Sequence, residues 1–226
     1  MSDHTTILNG TQIEAERLGD WRPLHGVLMA RFRTDSFVAG LELVNRLGEA
    51  AEAANHHPDV ELTYPTVTIG LRSHDVGGIT SRDIDLARVI SALAAEAGAP
   101  ADTDSVAVLE LALDTDDVDA IRPFWSAILG IDPGDGHDDL VDSLGQIPTL
   151  WFQQTDPGSA SGGDQVPQRW HPDLRIPPEQ IQPRIDAAVA AGGTLVTDEH
   201  APAFWVLADP QGNKVCLTTW QGRTHA

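Results

Sequence analysis

A single cysteine, Cys216, in 226 residues excludes an intrachain disulfide framework and fits a reducing compartment. No apolar run approaches the roughly 20 residues that cross a bilayer as a helix. The opening MSDHTTILNG lacks the basic-then-apolar pattern of a secretory signal, so a cytoplasmic location is expected. Basic residues are scarce: 14 Lys and Arg stand against 34 Asp and Glu, for a net charge of -20. The imbalance holds in both halves, eight against fourteen in residues 1–100 and six against twenty thereafter. Such a surface repels phosphate backbones and anionic lipid, which argues against nucleic-acid and membrane partners. Aromatics make up only 5%, yet 41% apolar and 21% charged residues is the balance of a globular chain. The length suits one large domain or two ordinary ones.

Two differently patterned halves flank the small, polar, turn-rich segment GAPADTDS (Gly98–Ser105), which reads as an interdomain linker between domains at 1–99 and 105–226. In the first half, Thr11–Leu18 is a short predicted helix and Val27–Arg33 a strand. Phe37, Leu41, Val44, Leu47 and Ala51 recur at helical spacing from Ser36 to Ala54. Val60–Thr63 and Thr66–Arg72 read as a hairpin around Tyr64-Pro65. A last helix, Ser81–Ala97, turns Ile84, Ala87, Ile90 and Leu93 inward. Strands and helices without regular βαβ alternation indicate an α+β fold. The second half carries a weak internal repeat: LELALDTDDVDAIRPFWSAILG and WHPDLRIPPEQIQPRIDAAVAAGG share strand, marked turn, helix and glycine, and each copy closes on a strand, LWFQQ or KVCLT. TDPGSASGGDQVPQ between the copies has the composition of a mobile loop.

The chemistry-bearing residues of the first half cluster between Glu52 and Asp85. His56 and His57 leave the predicted helix at Pro58, His74 ends the second hairpin strand, and Asp83 lies in the first turn of the next helix. Local structure can bring these three places to one rim of the hairpin. Thr80-x-x-Asp83 is also a capping box, which accounts for Asp83 without chemistry. A metal is the second reading, but compact ligand spacings such as two His at i, i+4 are missing, and adjacent histidines converge poorly on one ion.

The pattern Glu52-Ala-Ala-Asn-His56-His57-Pro58, then Tyr64, His74 and Ser81-Arg82-Asp83-Ile84-Asp85-Leu86-Ala87 resembles the pterin-4a-carbinolamine dehydratases, with Trp21 and RFRTDSF upstream extending the likeness over residues 5–98. The resemblance implies a 4a-hydroxytetrahydrobiopterin dehydratase, a hydro-lyase that converts the 4a-carbinolamine to quinonoid dihydropterin. It needs no metal or organic cofactor and supports tetrahydropterin recycling behind an aromatic amino acid hydroxylase. It further implies that His56, His57, His74 and Asp83 are catalytic, and that Asn55, Ser73, Asp75, Trp21 and Glu52 hold the pterin. Ordinary packing is an equal alternative for Trp21, and a solvated helix face for Glu52. Asn55 departs from a position that is often acidic in the family. A homo-oligomer is implied by the same likeness.

Residues 106–221 are similar to the vicinal oxygen chelate superfamily, on the strength of the repeat, RWHPDL (Arg169–Leu174) and LADPQGNKVCL (Leu207–Leu217). The fold so implied is an antiparallel sheet with helices on one face, followed by a paired βαβββ glyoxalase-like domain. Metal-dependent members carry ligands on the first and last strands of each module. Here Glu110 and His171 fall on first strands, Cys216 stands where a glutamate is usual, and module one offers only Phe152 or Gln153. The incomplete set leads to an expectation of no metal, with Glu110, His171 and Cys216 as its weak candidates. Two other readings remain: a non-catalytic pterin-binding or dimerisation module, and a glyoxalase- or dioxygenase-like activity in the second half.

Overall fold

The computed structural model describes residues 4–132, 139–142, 145–155, 171–219 and 221–222. The chain divides into two compact units, residues 1–108 and 109–226. Both are mixtures of helix and sheet.

Period-two alternation builds the first unit. Strand β1 (Arg22–Leu24) leads into β2 (Val27–Arg33), whose buried residues Leu28, Ala30 and Phe32 lie on one face. Helix α2 (Phe37–Ala54), preceded by the short α1 (Gly10–Ala15), is followed by the hairpin β3 (Asp59–Thr63) and β4 (Thr66–Leu71). The sheet is antiparallel in the order β1-β2-β4-β3. Its register sets Leu28 against Leu71, Ala30 against Ile69 and Phe32 against Val67, so three cross-strand pairs form one apolar layer. Helix α3 (Ser81–Glu96) packs beside α2 and adds Ile84, Leu86, Ala87 and Ile90 to that core.

Three departures from the sequence reading have local causes. The buried stripe of α2 runs through Gly40, Leu43, Leu47 and Ala51, leaving Phe37 and Leu41 exposed. Gly40 explains the rotation. A Cβ there would come within 2.6 Å of Leu62 Cδ1 and 3.3 Å of Thr34 Oγ1, so the helix approaches the sheet along its glycine rather than along Phe37. Strand β1, three residues containing Pro23, gives too short an alternation to be seen in the sequence. The segment read as a linker is fastened to β2: Phe32 bridges Ala101, Arg33 N–H donates to Pro100 O at 2.9 Å, and Asp102 N–H donates to Arg31 O at 2.7 Å. The Arg33–Asp102 ion pair at 2.7 Å, which holds the Asp102 carboxyl below its ordinary range, closes the same edge.

The second unit shows the repeat as two strand pairings of one kind. In its first module, β5 (Glu110–Thr115), α4 (Val118–Leu129) and β6 (Thr149–Gln154) place first and last strands side by side and parallel. An isolated bridge from Leu140 to Leu150 stands beside β6. In the second module β7 (Asp173–Arg175), α5 (Ile181–Ala190), β8 (Thr194–Thr197), β9 (Phe204–Ala208) and β10 (Lys214–Thr218) make a full βαβββ unit in the order β7-β10-β9-β8. Most of TDPGSASGGDQVPQ, with Arg169 and Trp170, lies outside the described residues. DPQGN earns its place structurally: buried Asp209 accepts Trp125 Nε1–H at 3.0 Å on one oxygen and the N–H groups of Gln211 and Asn213 at 2.9 Å on the other. Among the described residues no helix is long and apolar enough to cross a membrane.

Helices α4 and α5 meet where Gly193 follows α5. A Cβ on Gly193 would lie 2.2 Å from Phe124 Cδ2 and 2.9 Å from Ala188 O, one of them backbone that cannot swing away. Gly193→Ala is therefore expected to destabilise the second unit by about 1–3 kcal/mol, the usual cost of overpacking. An unchanged urea unfolding midpoint would show that Phe124 yields freely.

Candidate functional site

The end of α2 sets the site. Asn55 caps the helix in the left-handed conformation (φ 47°, ψ 42°), a geometry asparagine tolerates better than most residues. Its N–H and that of His56 return to the carbonyls of Ala51 and Glu52, so the chain reverses and His56 turns inward. Strand pairing brings the partner segment to the same place. Asp59 opposes Gly70 at the end of the ladder, and Ser73, bridged to Gly78, follows three residues beyond Gly70.

What joins them is Asp83, which has no solvent exposure. Its Oδ1 lies 2.7 Å from His56 Nε2. Its Oδ2 accepts from Thr80 N–H at 2.7 Å, Ser73 hydroxyl at 2.8 Å and Thr80 hydroxyl at 3.3 Å. Ser73 and Thr80 hydroxyls are also 2.8 Å apart. One oxygen thus completes the capping box of α3 while the other holds an imidazole, and the two roles weighed for Asp83 from sequence coexist. An acid oxygen so placed receives the ring proton, which fixes His56 with hydrogen on Nε2. His56 itself is only 7% exposed.

The remaining predicted residues sort into three groups. His57, next in the chain to His56, is exposed and pairs through Nε2 with Glu52 Oε1 at 3.1 Å. His74, next to Ser73, is exposed at the strand exit. Asp75 follows it and pairs with Arg82 at 2.6 Å; that hydrogen bond holds the Asp75 carboxyl below its ordinary range. Arg82 stood in the motif but no role for it was foreseen. Trp21 lies in the core, 2% exposed, edge-on to Phe32 and with Nε1–H donated to Ser91 Oγ at 3.0 Å. Its face and its donor are committed to packing. A recess of about 310 Å³ lined by Ile7, Ile13, Pro23, His25 and Ile79 contains none of the predicted catalytic residues.

In the second unit the structure gathers two of the three weak metal candidates. His171, Asp173 and Cys216 offer ligand atoms all within 4.8 Å of one another. Glu110 belongs to β5, in another sheet, and is outside this group. Asp173 was missed. Its two-residue spacing from His171 was visible in the sequence, but the parallel pairing that sets it opposite Cys216 was not. Burial, then the Asp173 charge and its hydrogen bond, push the Cys216 thiol up to about 11.

Comparison with known proteins divides the chain at the same place. The family of pterin 4 alpha carbinolamine dehydratases matches residues 6–93, and the glyoxalase-like domain matches residues 110–218. A Nocardia farcinica protein named for that dehydratase activity is 44% identical over 92 residues, which are 40% of this chain and 97% of the relative. A similarly named protein of Thermosynechococcus vestitus is 45% identical over 89 residues, 38% of this chain and 94% of the relative. Among solved structures, a transcriptional coactivator/pterin dehydratase from Brucella melitensis matches 39% of this chain and 99% of its own at 24% identity and a TM-score of 0.38. A glyoxalase/bleomycin resistance protein from Albidiferax ferrireducens matches 49% and 95% at 20% identity, also with a TM-score of 0.38.

The network separates histidines that hold the site from histidines that face solvent. Asp83→Ala removes the acceptor of four hydrogen bonds and one half of a capping box, and is expected to cost about 3–5 kcal/mol. His57→Ala removes an exposed ring and is expected to stay within about 0.5 kcal/mol. Urea denaturation of both variants checks this; equal losses would contradict the division.

Proposed function

We propose, from the premise that this chain belongs to the pterin 4 alpha carbinolamine dehydratase family through residues 6–93, that its first unit dehydrates a 4a-hydroxytetrahydropterin by histidine acid–base catalysis. Loss of water from such a carbinolamine needs a proton delivered to the departing 4a-hydroxyl and a proton taken from the neighbouring ring nitrogen, whose lone pair expels the hydroxyl. Both transfers suit imidazole near neutral pH. The product is the quinonoid dihydropterin.

One observation carries the assignment. The two solvent-facing imidazoles, His57 and His74, each adjoin in the chain a residue bonded to the same buried carboxylate, His56 and Ser73 respectively. A rigid buried anchor beneath two accessible acid–base groups is what paired proton transfer requires. His56 then acts as a positioning residue, because its accessible surface is small and Asp83 holds its Nε2. Glu52, accepting from His57 Nε2, leaves Nδ1 of that ring as the nitrogen that exchanges protons with substrate. Asn55 and the Ser73–Asp75 backbone hold the polar edge of the pterin. Tetrahydropterin recycling behind an aromatic amino acid hydroxylase is the setting in which this substrate arises.

Generating the carbinolamine in situ and following its disappearance by absorbance tests the reading. His57→Ala and His74→Ala are each expected to lose about 10²-fold or more in turnover, within the range of general acid–base catalysis, with the unfolding midpoint retained. Wild-type rates in both variants would remove the assignment. Tight pterin binding by a wild-type chain that does not speed dehydration would instead favour a binding module.

A further inference from the structure

The loop that carries His74 is held by residues to which the dehydratase reading gives no part. We propose, resting on that reading, that Arg82 is a positioning residue for His74 and acts on it through Asp75.

His74 stands between two gripped residues. Ser73 before it donates its hydroxyl to Asp83 at 2.8 Å, and Asp75 after it accepts from Arg82 Nη2 at 2.6 Å. Arg82 and Asp83 are consecutive in the first turn of α3, so one helix start holds the chain on both sides of the imidazole. This hold matters more to His74 than to its companions. His56 is bonded to Asp83 and His57 to Glu52, whereas among the described residues nothing hydrogen-bonds to the His74 ring. Its placement rests on the backbone beneath it. The other ties of the loop act farther on. Ser73 O accepts the N–H groups of Val76 at 3.2 Å and Gly77 at 2.9 Å, and Arg72 Nη2 donates to Gly77 O at 2.9 Å. They fix the closing arm of the turn, and the Arg82 pair takes hold of the residue next to the imidazole.

An exposed ion pair without function is the simpler account of Asp75 and Arg82, and such pairs contribute little to stability. Two features of Arg82 do not fit it. As the second residue of α3, its charge stands at the helix end where the dipole disfavours a cation. Its Nε is sealed from water and, among the described residues, has no hydrogen-bond partner. An arginine present only for solubility would turn that N–H outward, because a buried donor without an acceptor is costly. The guanidinium is planar, with Nε and Nη2 on one edge, so the buried Nε fixes the direction in which Nη2 meets Asp75. The pair is a strut from α3 to the loop. Proton transfer needs reacting atoms about 3–3.5 Å apart, and a misplacement of about 1 Å can cost about 10²-fold. A strut that sets His74 to that tolerance has a catalytic consequence even where its contribution to stability is small.

Turnover of the carbinolamine and amide hydrogen exchange of the loop, both in the full chain, test this. Arg82→Gln is expected to lower kcat about tenfold or more with KM changed by less than about twofold. It is also expected to speed exchange of the Val76 and Gly77 amides about tenfold while those of Ala87 and Ile90 in α3 keep their protection. Arg82→Gln combined with His74→Ala is expected to be no slower than His74→Ala alone, because a residue that acts through the ring then has nothing to act on. Asp75→Asn, altered at the exposed end of the pair, is expected to give the same pattern and decides the matter if Arg82→Gln does not fold. A wild-type kcat in Arg82→Gln, a further loss of about tenfold in the combined variant, or unchanged loop exchange overturns the proposal. Quickened loop exchange in a chain whose His74→Ala variant turns over at the wild-type rate refutes the role of His74, and with it the part proposed for Arg82, while showing that the strut exists. Failure of the dehydratase reading and failure of the strut are thus read apart.

Discussion

The first unit depends on where one buried carboxylate spends its two oxygens. Asp83 arrives with the first turn of α3, and its Oδ2 is taken locally by Thr80 and Ser73. Only Oδ1 is left to reach across to the exit of α2, where it finds His56. Three chain segments that are distant in sequence are therefore tied at one atom group. An unpaired carboxylate in that position would carry a desolvation cost of several kcal/mol, so the tie is obligatory once the helices pack. The exposed His57 and His74 each follow in the chain a residue that this tie holds, His56 and Ser73.

Much of this was legible in the sequence, for identifiable reasons. Strand Val27–Arg33, the α2 span and the start of α3 are marked by clean alternation, by Ser36 at an N-cap and by Thr80-x-x-Asp83. The helical exit at Asn55 was readable because Pro58 bars a longer helix. What stayed hidden turns on contacts rather than on periodicity. Period alone cannot tell that Gly40 rather than Phe37 faces the sheet, since close approach depends on Leu62 and Thr34. Nor does composition show that residues 100–102 bind the free length of β2. Trp21 could equally be a ligand wall or a core ring until Ser91 was seen to take its donor.

Residue-level chemistry in the second unit followed the opposite course. His171 and Cys216 were placed on the right strands by the internal repeat, and Glu110 likewise. The sheet then separated Glu110 and supplied Asp173, because parallel register between β7 and β10 is a tertiary fact. The two units also differ in how their polar groups are satisfied. In the first, both oxygens of a buried acid are taken by protein donors, and the imidazoles next to them in the chain stay exposed. In the second, His171 and Asp173 stay open to solvent beside the buried Cys216.

The Asp83–His56 bond is the point on which the account of the first unit turns, and long-range nitrogen–proton NMR of the histidine rings in the full chain reads it directly. The expected spectrum shows His56 protonated on Nε2, with that proton slow to exchange and shifted downfield by its carboxylate partner. A His56 ring carrying its proton on Nδ1 alone, or an Nε2 proton exchanging as fast as those of exposed imidazoles, would contradict the anchor and the site built on it.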